Sequence, residues 1–164
     1  MKRYLLLALF FLLPQQTALA EDILTVKHLN VDLAVKAAQE SLNTCRENGY
    51  NVSVVVVDRS AQVQVALRDN LASRFTIQIA TKKANAVILS GVSSAEFRKS
   101  RADIKDEMNE VDGITVLEGG LPITAAGSML AAIGVSGAPG GEKDAACAQK
   151  GIDAISETLE FAGD

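Results

Sequence analysis

The stretch from Val52 to Val57 constrains this chain more than any other. It is rich in β-branched residues, carries apolar side chains at both parities, and runs into Asp58-Arg59-Ser60, after which Val63, Val65 and Leu67 alternate with polar partners. β-Branched side chains suit a pleated surface, and two such runs separated by turn residues read as a β-hairpin. A strand apolar on both faces belongs in the interior of a sheet covered on each side, and its alternating partner belongs nearer an edge.

The rest of the chain supplies the cover. Val31, Ala34, Val35, Ala38, Leu42 and Cys45 recur at helical spacing between Asn30, placed to cap the start, and Gly49, placed to close the end. Ser73 to Leu89 is a second helix, with Ile77, Ala80, Ala84 and Val87 on one face and Arg74, Gln78, Thr81, Lys82 and Asn85 on another. A polar stretch, Ser93 to Asp112, predicts short helices. Ile114–Leu117, Leu121–Thr124 and Met129–Val135 read as strands, Gly137 to Gly141 as a glycine-rich loop, and Ala148, Ile152, Ile155, Leu159 and Ala162 as the buried stripe of a last helix. Hairpin connections without βαβ spacing point to an α+β fold with helices packed on an antiparallel sheet.

The first twenty residues stand apart. Lys2 and Arg3 precede an unbroken apolar run from Tyr4 to Leu13, and Ala18-Leu19-Ala20 follows, the pattern of a secretory signal peptide. A bilayer-spanning helix needs about 20 apolar residues, more than this run provides. The expectation is a leader over 1–20, one domain over 21–164, and an exported product, periplasmic or secreted, with no stable membrane anchor after cleavage. Cleavage removes two of the 16 basic residues and none of the 20 acidic ones, so the processed chain is more acidic than the whole, whose formal charge is −4. Nucleic acid, which demands clustered Lys and Arg, is therefore not an expected partner.

Catalysis has little to build on. His28 is the single histidine, and the candidate nucleophiles Ser136 and Cys147 are remote from it in sequence. Glu107 with Glu110, and Glu157 with Glu160, each put two carboxylates one helical turn apart, a geometry that can hold a hard cation or is simply a solvated acidic face. Met108 and Met129 carry soft thioethers, Met129 being better explained as core.

Several segments occur together in one order: Val56-Val57-Asp58, Arg68-Asp69, Ile79-Ala80 with Lys83-Ala84, Gly119-Gly120-Leu121-Pro122-Ile123, Ala132-Ile133-Gly134-Val135-Ser136-Gly137, and Asp144 with Cys147-Ala148 and Gly151. Across about residues 24 to 162 the chain resembles the GlcG- and HbpS-like haem-binding proteins, a family that includes the C-terminal domain of PduO-type proteins. That resemblance implies a profilin-like, five-stranded antiparallel sheet with the first and last helices on one face, assembly into homo-oligomers, and haem or another tetrapyrrole as ligand. A small organic acid such as glycolate is the alternative, with the chain as an enzyme or accessory protein. Ala61 stands where the family has glycine, and Ala126 where it often has aspartate.

The site residues follow from the same resemblance, which also makes the pairs Glu107/Glu110 and Glu157/Glu160 weak candidate iron sites, as in secreted relatives, and Met108 and Met129 soft candidate ligands to haem iron. Gly119, Gly120 and Gly137 either make tight turns or expose N–H groups to an anion, Pro122 belongs to the same motif, and Arg68 and Lys83 are possible carboxylate partners. Lys83 reads alternatively as part of a solvated Lys82-Lys83 helix face. His28 is the candidate if iron is held by histidine, and otherwise an exposed residue near the processed N-terminus. In a sheet whose first and last strands are neighbours, Cys45 and Cys147 fall at the same end and can form a disulfide; the alternative is two small buried thiols. Leu29 and Leu33, opposite the valine stripe of the first helix, are expected to be free for subunit contacts.

Overall fold

The computed structural model describes residues 26–161, so the leader over 1–20 and Ala162 lie outside the described residues. The elements are α1 (Val31–Glu47), β1 (Ser53–Asp58), β2 (Val63–Arg68), α2 (Thr76–Ser90), α3 (Ser94–Ser100), a single 3-10 turn (Ala102–Ile104), α4 (Lys105–Asn109), β3 (Gly120–Ala125), β4 (Ser128–Ser136) and α5 (Gly141–Phe161). The strands form one antiparallel sheet in the order β2-β1-β4-β3. β1 is interior and β2 is an edge, as the doubly apolar and alternating patterns require. Val52, Val54 and Val56 join the core under α1 and α5, while Val55 and Val57 join Ala80, Ala84 and Val87 of α2 on the other face.

Among the described residues the sheet has four strands, not five. Ile114–Leu117, read from sequence as a strand, has no regular secondary structure and is unpaired with the sheet. The Thr115 N–H donates to the Lys82 carbonyl at 3.3 Å, and Val116 is buried with Ala86 and Phe97. This short apolar run is used to hold α2 and α3 together.

The buried face of α1 also differs from the valine stripe. Val31 and Val35 are exposed, whereas Ala34, Ala37, Ala38, Ser41, Leu42 and Cys45 face inward. The cause is α5: a Cβ at Gly151 would strike the Ser41 hydroxyl and the Ala37 carbonyl, so the two helices touch along small residues that larger ones cannot replace. Leu29, expected to be free, is buried in the same core, and Leu33 is half-buried against it. Asn30 does cap α1, accepting the Asp32 N–H at 2.8 Å.

Two crosslinks fix the end of α1. Cys45 is disulfide-bonded to Cys147 of α5, with Cα atoms 5.5 Å apart. The Arg46 guanidinium forks onto Asp69, just past β2, at 2.9–3.1 Å and holds that carboxyl below its ordinary range. The bridge spans 102 residues, and closing a loop of about 100 residues is worth roughly 4–5 kcal/mol by the chain-entropy model. Thiol titration in denaturant without reductant should find no reactive thiol; two per chain would contradict the bridge.

Two departures from the family pattern, Ala61 and Ala126, are the non-glycine residues with positive φ among the described residues, at 60° and 46°. Ala126 and Gly127 (φ 74°) form the two-residue turn joining β3 and β4, a position that favours Asn-Gly. Left-handed backbone costs an L-residue about 1 kcal/mol, least for Gly and Asn. Ala126→Asn and Ala61→Gly should each stabilise the fold by about 0.5–1 kcal/mol in urea titrations; a loss of stability would show the turns to be something else.

Candidate functional site

α2 crosses the sheet so closely that its path depends on glycines beneath it. A Cβ at Gly134 would strike the Ala80 carbonyl, and one at Gly120 the Lys83 carbonyl. This approach sends the Lys83 side chain inward to the start of α5 instead of into solvent. Its ammonium donates to the Val135 carbonyl at 2.8 Å and to Asp144 Oδ2 at 2.7 Å, and both side chains are only 4% exposed. Asp144 Oδ1 accepts the Ala138 N–H at 2.9 Å. Burial pushes the Asp144 carboxyl above its ordinary range, opposed by the Lys83 ammonium and the Ala138 N–H.

Most of the glycines of the expected anion cradle surround this pair, but the N–H groups that can be traced are engaged within the chain. A Cβ on Gly119, whose φ is 120°, would lie 2.8 Å from Lys83 Nζ. The Gly120 N–H donates to the Ser94 hydroxyl at 2.9 Å. Gly137, with φ 134°, is present because a Cβ would come within 2.9 Å of Val52 Cα. A cleft of about 440 Å³ opens beside the pair, lined in part by Arg98, Glu118, Ser136 and Glu142. The Ser136 hydroxyl makes no hydrogen bond to another described residue, and Glu118 and Glu142 bring negative charge to the opening. Lys83 is therefore neither on a solvated helix face nor a free partner for a ligand carboxylate: its partner is Asp144.

The remaining candidates are dispersed. Arg68 donates to the Ala72 carbonyl at 2.6 Å and clasps the turn that follows β2. Pro122 lies on edge strand β3 opposite Ala132, where a missing N–H is tolerated. His28 is exposed ahead of α1, next to Leu29, which joins the core under α1 and α5. Glu107, Glu110, Glu157 and Glu160 are all exposed, and among the described residues no three His, Cys, Asp or Glu converge as a metal site. Met129 packs against the core beneath α2.

One cavity was not recognised from sequence. Beyond the C-terminal end of α2, about 480 Å³ is enclosed in part by Leu89, Val92, Phe97, Arg101, Ile104 and Met108. The available signal was the presence of Val92, Phe97, Ile104 and Met108 within a stretch otherwise read as polar surface.

Comparison with known proteins places this architecture. The family of haem degrading proteins described as HbpS-like matches residues 29–153, from the residue before the α1 cap into α5. The chain belongs to the HbpS-like family. A doubly substituted HbpS from Streptomyces reticuli is 31% identical, with a TM-score of 0.75 over 84% of this chain and 94% of that one. The Klebsiella pneumoniae protein ORFY, at 22% identity and TM-score 0.78 over 85% and 98%, shares the fold. So does PduOC in complex with heme, at 19% and 0.69 over 78% and 95%. No curated protein matches the sequence.

The HbpS-like scaffold thus places a fully buried ion pair where α2, β4 and α5 meet. Lys83→Met would leave Asp144 buried without its counter-charge, a change that costs about 3–5 kcal/mol. Urea denaturation should record that loss, and a loss below about 1 kcal/mol, the scale of an exposed ion pair, would show that the pair is solvated.

Proposed function

We propose that this protein is an exported haem-binding protein that stores, delivers or senses haem and works as a homo-oligomer. The observation that carries the haem reading is the HbpS-like match across residues 29–153, which spans the sheet and both faces of helices. The heme complex of PduOC, a protein of the same fold, is consistent with it. The cavity beyond α2 has the size and apolar walls of a cofactor pocket, for which about 300–1,000 Å³ is usual. Its lining contains no carboxylate or imidazole, so no general base is built into it.

Export is supported by the leader-like segment over 1–20 and by the Cys45–Cys147 bridge, a bond that persists in the periplasm or outside the cell. Self-association is supported by exposed apolar side chains on α1 and β2, namely Val31, Val35 and Val63. A small organic acid is the weaker reading. The unpartnered Ser136 hydroxyl and Arg98 favour it, but Glu118 and Glu142 at the same cleft oppose an incoming carboxylate.

Visible absorption tests the function directly. Adding hemin to the purified protein should produce a Soret band displaced from that of free hemin and saturating at a fixed ratio to protein. A spectrum that remains the sum of its parts would remove haem as the ligand.

A further inference from the structure

The cavity beyond α2 has both features that haem demands of a protein, apolar walls and a cation. Leu89, on the last turn of α2, and Val92 remain substantially exposed, while Phe97 is buried behind them and Ile104 and Met108 are half-buried. Apolar side chains gathered around a cavity of about 480 Å³ call for an apolar occupant. Of the residues lining it, Arg101 alone is charged. Arg98 lines the cleft beside Lys83 instead, so Arg101 is the cation that an occupant's carboxylates meet.

Arg101 is available. Its present partner is Asp103 at 3.2 Å, in a bridge whose two side chains are 49% and 65% exposed. A bridge so open to water contributes at most about 1 kcal/mol, and a ligand carboxylate beside the apolar wall can replace Asp103. Met108 adds a thioether in the same wall, a side chain able to ligate haem iron. The cleft beside Lys83 is less suited, because its buried charges already neutralise each other and Arg98 at its rim shares the opening with Glu118 and Glu142.

Resting on the haem reading above, we propose that this cavity is the haem site, with Met108 as the iron ligand, Arg101 as the cation that holds a propionate, and Leu89, Val92, Phe97 and Ile104 as the apolar walls. The test titrates the full oxidised protein with hemin and, separately, with protoporphyrin IX, which carries the same propionates but no iron. Met108→Leu should shift the Soret band and weaken hemin about tenfold, equivalent to 1.4 kcal/mol, while leaving protoporphyrin binding unchanged. Arg101→Glu should weaken both by about tenfold, and His28→Ala should change neither. If Met108→Leu fails to fold, Arg101→Glu, a change at an exposed side chain, carries the test.

Hemin binding by the parent together with unaltered binding by both cavity variants would overturn this site and leave the haem reading standing. Equal weakening of hemin and protoporphyrin by Met108→Leu would overturn Met108 as ligand, and a Soret shift caused by His28→Ala would place the iron elsewhere. A parent that binds dodecanoate but no porphyrin would make the occupant an acyl chain and end the proposal. A parent that binds neither porphyrin would remove the haem reading itself.

Discussion

The arrangement of this fold depends on the Lys83–Asp144 ion pair. An ammonium and a carboxylate removed from water are tolerated only when each is closely partnered, and here the Val135 carbonyl and the Ala138 N–H complete the set. The requirement reaches outward. α2 must lie low on the sheet for Lys83 to arrive, so Gly134 and Gly120 have no side chains beneath it, and Gly119 must leave room for the ammonium itself. The loop from Gly137 to Gly141 is held by the same carboxylate at the start of α5. Of the glycines that resemble an anion cradle, Gly119 makes room for the ion pair itself and Gly137 for the approach of Val52.

That pair also divides the labour on the α2 side of the molecule. Its cleft has matched charges inside and both signs at the rim, Arg98 against Glu118 and Glu142. The opposite condition holds past the C-terminal end of α2, where Gly91, with φ 76°, closes the helix and the chain turns into α3. The short helices there bury Phe97 and Val116 but leave Leu89 and Val92 facing a cavity with one cation. A planar apolar ligand bearing carboxylates is matched by the second site.

Local patterns revealed what local forces determine. The valine run of β1 showed an interior strand because its two parities pack under different helices, and Asn30 and Gly49 marked the limits of α1 through their own backbone chemistry. Ala61 and Ala126 stood out against the family pattern, and their positive φ supplies the reason glycine and aspartate suit those positions. The failures were tertiary. Valine outranks alanine in any hydrophobic stripe, yet the approach of α5 at Gly151 admits only small residues, so the true face of α1 is rotated away from Val31 and Val35. Ile114–Leu117 has the composition of a strand, but its partners are α2 and α3. Lys83 beside Lys82 looks like a wet surface, and its partner is 61 residues away, with no local signal joining them.

The most direct measurement is the position of iron in crystals of the hemin-bound protein, located by anomalous scattering at the iron edge. A single peak bonded to the Met108 sulfur, within the walls formed by Leu89, Val92 and Phe97, is the predicted result. A peak beside His28 or in the cleft at Lys83 and Asp144 would contradict it.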